Sequence, residues 1–162
     1  YIVKTNLNGG VVFQKTYGGN FLEKGMDIVS KGNGDGYIVL GQQCKHRYDV
    51  HSCGPITKVM ILDIDENGNE LDQTFLGGLE FYEFGTPMAL ANTSNDGYVF
   101  ATNPRNGGNV WLYKWGDSED NLNLKISPGG FGGESIEKTL DNGFIISTGG
   151  GTVLKTDSQL SY

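Results

Sequence analysis

Apolar residues in this chain come in short runs, each broken by glycine, asparagine or aspartate. "YIVLG" at 37–41, "YVFAT" at 98–102 and "FIIST" at 144–148 are three of them, and each follows a tight turn: "NGDG", "SNDG" and "LDNG". Tyr, Val, Ile, Phe and Thr dominate the runs, which is the composition of half-buried strands, and the turn residues are those that hairpins require. No stretch carries apolar residues at helical spacing or a capping box leading into an apolar face. The pattern predicts an all-β chain.

The runs recur in a fixed order. "FQKTYGG" at 13–19, "LDQTFLGG" at 71–78 and "LKISPGG" at 124–130 each end in a glycine pair, the pairs lying 59 and 52 residues apart. A lysine- or aspartate-bearing run appears as "YIVKTNLNGG" at 1–10, "VMILDIDENG" at 59–68, "NVWLYKWGDS" at 109–118 and "TVLKTDSQL" at 152–160. Each unit therefore reads as four strands, A to D: A is "MDIVS", "PMALANT" or "SIEKT", B follows the tight turn, C is the charged run, and D ends at the glycine pair. Four-stranded units repeating about every 50 residues are the signature of propeller blades, which bury their faces only by stacking on neighbours.

The residues that carry this pattern, most clearly "QKTYGG" and "GDGYIVLG", resemble the tandem bacterial β-propeller repeats built on KTYGG…DGGYIVAG, which are common in secreted and cell-surface proteins. The resemblance spans nearly the whole chain, although "KISPGG" lacks the aromatic before the glycines and "DNGFII" alters the turn. It implies a β-propeller segment of about three four-stranded blades. Residues 1–19 give strands C and D of a partial blade, 20–78 and 79–130 give full blades, and 131–162 give strands A to C of another, thirteen strands in all. Closed propellers have roughly four to eight blades, and these ends duplicate strand C instead of complementing one another, so the expectation is part of a larger ring or array. Further blades would come from the same or another chain. The resemblance implies an extracellular or cell-surface location and a structural or adhesive role, with protein or glycan partners.

Composition narrows the partners. The formal charge is −7 over 162 residues, which argues against nucleic acid and anionic membrane surfaces, and no apolar run is long enough for a membrane helix. The chain opens at Tyr1 without a methionine or leader-like segment, which reads as a mature form or an excerpt. No G-x-S-x-G, H-E-x-x-H or G-x-x-x-x-G-K motif is present, so a non-enzymatic module without cofactor is expected. The alternative is a glycan-active hydrolase or lyase using carboxylates at the mouth of the channel, and a third reading is a subunit of a self-assembling ring or filament.

Candidate chemistry concentrates in three places. An acid follows each glycine pair, at Glu23, Glu83 and Glu134, accompanied by Phe21, by Phe81, Tyr82 and Phe84, and by Phe131. On a D-to-A connection these would ring the channel mouth, where aromatics stack on sugars or peptides and carboxylates accept hydrogen bonds. Their repetition favours instead a structural role in each loop, with Phe81, Tyr82, Glu83 and Phe84 the best contact surface. Asp63, Asp65, Asn67 and Gly68 match the start of a calcium loop, but Thr74 stands where a bidentate glutamate belongs. The sister segment "KTNLNG" has Lys4 in place of Asp63, so a C–D hairpin turn is the leading reading. "CKHRYDVHSC" at 44–53 holds both cysteines and both histidines. It is an insertion between strands B and C of the first full blade, where the sister blades have "NPRNGG" and "GGG". As a hairpin it would face Cys44 with Cys53 and His46 with His51. A Cys44–Cys53 disulfide is the simplest closure, with His46 and His51 as ligand contacts; zinc held by Cys44, His46, His51 and Cys53 is the alternative. Asn92 opens a glycosylation sequon placed at an A–B turn.

Overall fold

The computed structural model describes residues 1–19, 21–44, 57–77, 85–93, 97–103, 108–116, 123–126 and 132–162. Thirteen strands and no helix occur among them. They are β1 (Ile2–Thr5), β2 (Val11–Lys15), β3 (Leu22–Ser30), β4 (Gly36–Cys44), β5 (Thr57–Asp65), β6 (Glu70–Leu76), β7 (Thr86–Asn92), β8 (Tyr98–Asn103), β9 (Trp111–Trp115), β10 (Asn123–Ile126), β11 (Gly133–Lys138), β12 (Phe144–Thr148) and β13 (Val153–Thr156). Each strand pairs antiparallel with its chain neighbour inside one of four small sheets: β1–β2, β3–β6, β7–β10 and β11–β13. The sheets thus hold two, four, four and three strands.

Turn chemistry explains why the meander repeats. Between the first and second strands, Lys31 N–H donates to Gly36 O, Thr93 N–H to Gly97 O and Thr139 N–H to Gly143 O, at 2.8–2.9 Å. The glycine that closes this turn has no room for a side chain. A Cβ on Gly36 would lie 2.0 Å from the Ile64 carbonyl oxygen, and one on Gly143 2.0 Å from that of Thr156. The "DG" and "NG" of the repeat thus let strand C pass against the turn. After the third strand a second device recurs. Asn6 Oδ1 accepts from the N–H groups of Asn8 and Gly10, Asp65 Oδ1 from Asn67 and Asn69, and Asp157 Oδ1 from Gln159 and Ser161, all at 2.7–2.9 Å. Short side-chain carbonyl and carboxylate groups that bind the backbone two and four residues on are what asparagine and aspartate offer at turns.

The sheets stack face to face in chain order. We call the face of a sheet toward the next sheet its leading face and the other its trailing face. Period-two alternation puts Ile38, Leu40, Val59 and Ile61 on the leading face of β3–β6, against Leu90, Phe100 and Tyr113 of β7–β10. Phe100 and Tyr113 stack with ring centroids 5.1 Å apart, and Trp111 and Trp115 flank the same layer. Val99, Ala101, Val110 and Leu112 then face Ile136, Phe144 and Ile146 of β11–β13. On the trailing side of β3–β6, Val39, Leu62 and Ile64 pack on Phe13 and Ile2 of the β1–β2 sheet. Small residues lead and large aromatics trail at the β7–β10 layer, so each interface fills its space by pairing large with small side chains.

β3, β7 and β11 share one irregularity. A β-bulge interrupts each against its partner, at Gly25/Asp27, Pro87/Ala89 and Gly133/Ser135. Bulges raise local twist and bend a strand, and here they mark equivalent places in three successive sheets. These three strands are also the free edges of their sheets and lie next to one another in space.

Candidate functional site

Three adjacent edge strands make a cleft. It has a volume of about 580 Å³ and is lined by the second halves of β3, β7 and β11, with Ser30, Asn92, Ser135, Glu137 and Lys138 supplying its polar groups. Ile28, 44% exposed, adds an apolar spot on the β3 wall. Edge strands carry backbone N–H and C=O groups that no ladder consumes, and some of these are taken by side chains that tie the walls together. Asp27, just beyond its bulge, accepts Ile28 N–H on Oδ1 at 2.8 Å and, from the next sheet, Leu90 N–H on Oδ2 at 2.7 Å. Asn92 returns the tie, its side-chain amide donating to Ser30 O at 2.7 Å. The corresponding post-bulge residues Ala89 and Ser135 have no carboxylate, so this bond belongs to the β3–β7 junction.

The cleft therefore offers hydroxyls, an amide, two carboxylates and one ammonium group beside exposed strand backbone. That set suits an extended polar ligand bound by many modest hydrogen bonds. Asp27 is already committed to two backbone donors, which leaves Glu137 as the exposed cleft carboxylate among the described residues.

The sequence-predicted residues fall elsewhere. Glu23 lies near the start of β3, where its Oε1 accepts from Gly19 N–H at 3.3 Å and from the Gln43 side-chain amide at 3.1 Å. A Cβ on Gly18 would come within 2.8 Å of Glu23 Oε2, so the glycine pair and the glutamate fit as one local loop. Glu134 is exposed and stands in the bulge of β11, three positions beyond the place equivalent to Glu23. Glu23, paired with Gln43 in β3, and Glu134, in the bulge of β11, therefore occupy different positions of their strands. Glu83, with Phe81, Tyr82 and Phe84, lies outside the described residues, as does Phe131.

Asp63 and Asp65 are part of the sheet and its turn. Asp63 is ion-paired with Lys31, and Asp65 is held by the side-chain amide and N–H of Asn69 and then by Asn67 N–H, which lower its pKa from the ordinary carboxylate value. Thr74 sits within β6, paired with Ile61. Asn6, on the sister turn, makes the same pair of bonds without any charge, so these contacts serve the hairpin. Among the described residues, no group of three or more His, Cys, Asp or Glu is placed to hold a metal ion.

Cys44 ends β4, fully buried and paired in register with Thr57. Cys53, His46 and His51 lie outside the described residues. Cys44 also pairs with Leu22, at the opposite end of β3 from Ser30. Eight residues of strand at about 3.3 Å each separate Leu22 from Ser30, at the far end of the cleft, by roughly 26 Å. Asn92 is the last residue of β7, before the turn, and its amide is engaged by Ser30 O. The sequon asparagine thus has a structural partner.

Sequence reasoning missed the Asp27 tie and the Ser135, Glu137 and Lys138 wall. One signal was present: Asp27 is a charged residue within the apolar run "MDIVS", and a charge there needs a partner from outside its own strand.

No family model and no curated protein matches this chain. Among solved structures, it is similar to Kuenenia stuttgartiensis hydrazine synthase, with a TM-score of 0.59 and 13% identity over 85% of this chain. The chain spans 46% of that chain's length, a little under half. At this identity the likeness is one of fold: the stacked antiparallel sheets have a counterpart in a solved structure.

Proposed function

We propose that this chain is a segment of a β-propeller that serves as a non-enzymatic binding module, and that it takes an extended glycan or peptide along the cleft between β3, β7 and β11. The observation that carries the reading is the cleft itself: three edge strands side by side, bulged at equivalent places, lined by hydroxyl, amide and oppositely charged groups. In a propeller these strands are the innermost of their blades and the cleft is a sector of the central channel. An extracellular or cell-surface location with adhesive or structural use belongs to the same proposal. A hydrolase or lyase reading is less favoured because one of the two carboxylates at the cleft, that of Asp27, is spent on backbone N–H groups.

Glycan- and peptide-array binding, paired with a hydrolysis screen on the same glycans, tests this. Binding that weakens at least about tenfold, roughly 1.4 kcal/mol, in Glu137→Gln or Asn92→Ala, with no turnover, is the expected result. Turnover abolished by Glu137→Gln would instead make the chain an enzyme.

A Cys44–Cys53 disulfide closing the insertion is also proposed. The segment departs from Cys44 and returns at Thr57, which are paired neighbours, so the insertion begins and ends on adjacent strands. In the chain-entropy account a loop this short gains about 2–3 kcal/mol from the bond. Thiol titration of the denatured chain should find no free thiol before reduction and two after it.

A further inference from the structure

The junction between β3 and β7 is closed by the protein's own side chains, and the equivalent junction between β7 and β11 is open. Pairing to the second strand makes Asp27, Ala89 and Ser135 equivalent, likewise Ile28, Leu90 and Ile136, and likewise Ser30, Asn92 and Lys138. At the first junction the Asp27 carboxylate accepts from Leu90 N–H and the Asn92 amide donates to Ser30 O, both at 2.7 Å. At the second, Ala89 has no acceptor to offer and Lys138 stands in place of Asn92. Among the described residues, no side chain accepts from Ile136 N–H, and Lys138 makes no hydrogen bond or ion pair.

Ladder alternation turns Ile136 N–H out of its sheet. Thr93 N–H and Thr139 N–H point inward, to Gly97 O and Gly143 O, so Leu90 and Ile136, each three residues earlier, direct theirs outward. The bond from Leu90 to Asp27 shows that direction. Ile136 and Lys138 both line the cleft and lie two strand residues apart, roughly 7 Å, on the same side of β11. That spacing is within the reach of a lysine side chain. A backbone donor and an ammonium group so placed suit one carboxylate, the group that Asp27 supplies at the first junction. Glu137 alternates to the opposite face of β11 and does not oppose it.

We propose that the β7–β11 junction seats an acidic side chain, aspartate or glutamate, of a peptide bound in the cleft, its carboxylate accepting from Ile136 N–H and pairing with Lys138. The inference rests on the reading of the cleft as a binding site. Peptide is favoured over glycan because, among the described residues, no aromatic ring lines the cleft to stack on a sugar. Outward backbone groups at alternate residues of an edge strand also match the period of an extended peptide. A single carboxylate, and not a polyanion, fits a chain of net charge −7.

Arrays of extended peptides in matched pairs, aspartate against asparagine and glutamate against glutamine at one position, test it with the full chain, beside an array of uronate-bearing glycans. Acidic peptides should bind at least about tenfold more tightly than their amide partners. In Lys138→Gln, an exposed position, that preference should fall to about threefold or less, with the amide peptides bound as by the wild type. Ala89→Asp supplies the carboxylate from within, so it should abolish the preference and slow hydrogen exchange of the Ile136 amide. If that variant does not fold, the same slowing should appear in the wild type when an acidic peptide is added, and not with its amide partner. Equal binding of acidic and amide peptides, or a preference that survives Lys138→Gln, overturns the proposal and leaves the cleft a binding site. Tighter binding of uronate glycans than of every peptide overturns the choice of peptide. Binding of no peptide and no glycan overturns the reading of the cleft and this inference with it.

Discussion

Removing the Asp27 carboxylate should loosen the junction between β3–β6 and β7–β10. Two hydrogen bonds end on it, and the one from Leu90 N–H spans 63 residues of sequence at 2.7 Å. Leu90 is 3% exposed, so water does not readily replace the lost acceptor. A hydrogen bond to a charged group contributes about 1.5–3 kcal/mol, and a buried donor left unpaired costs about 1–3 kcal/mol. These describe the same loss from two sides, so Asp27→Ala is expected to destabilise by about 2–3 kcal/mol. Asp27→Asn keeps one acceptor oxygen for two donors and should lose about half of that, roughly 1 kcal/mol. Trp111 and Trp115 flank the same layer, so intrinsic fluorescence during urea unfolding reads this junction directly. The amide proton of Leu90 should exchange faster in both variants. If both unfold within about 0.3 kcal/mol of the wild type, with Leu90 exchange unchanged, the bond does not couple the sheets and the reasoning fails.

Other consequences are local. Gly36→Ala places a Cβ against the Ile64 carbonyl and should destabilise by more than about 2 kcal/mol, whereas Gly25→Ala, with open space around its Cβ position, should stay within about 0.5 kcal/mol; equal effects in thermal melts would refute the close-approach explanation. Asn6→Ala removes two exposed turn bonds and should cost about 1 kcal/mol in urea unfolding, against no measurable change for Asn8→Ala. Asp141 is held well below the usual carboxylate range by the Thr139 hydroxyl, then by Lys155 and the Gly143 N–H. A carboxylate with a depressed folded pKa contributes its stability above the unfolded value of about 4 and loses it as pH falls below that toward the folded value. The wild-type urea midpoint should therefore fall more steeply below about pH 4 than that of Asp141→Asn, and parallel curves would remove Asp141 from the acid response.

What could be read along the chain was what depends on neighbours a few residues away. The all-β class, the strand order and the antiparallel meander follow from period-two alternation and from turns that only glycine, asparagine or aspartate can make. Gly36 and Asp65 show it: the demand for each arises within a single hairpin. For the same reason "DIDENG" was legible as a turn once "KTNLNG" stood beside it. The acids were harder, because a glutamate four or five residues after a glycine pair looks alike wherever the strand begins. The glycine pair ends six residues before Gly25 but three before Gly133, so the same spacing from the pair puts Glu134 in the bulge of β11 and Glu23 three positions ahead of the matching bulge in β3.

The cleft was not legible. Its walls come from residues near 27–32, 90–93 and 135–138, which meet because β3, β7 and β11 are each the first strand of a stacked sheet. That Asp27 meets Leu90, and Asn92 meets Ser30, is decided by sheet packing; the charge within "MDIVS" calls for a partner without naming it. Nor does alternation alone tell which apolar side chain is covered: Ile28 and Ile38 both stand in apolar runs, and only the stack buries the second and leaves the first 44% exposed at the cleft. Short-range sterics and hydrogen bonding wrote the strands into the sequence, while contacts some sixty residues apart decided which sides of those strands face one another and which face solvent.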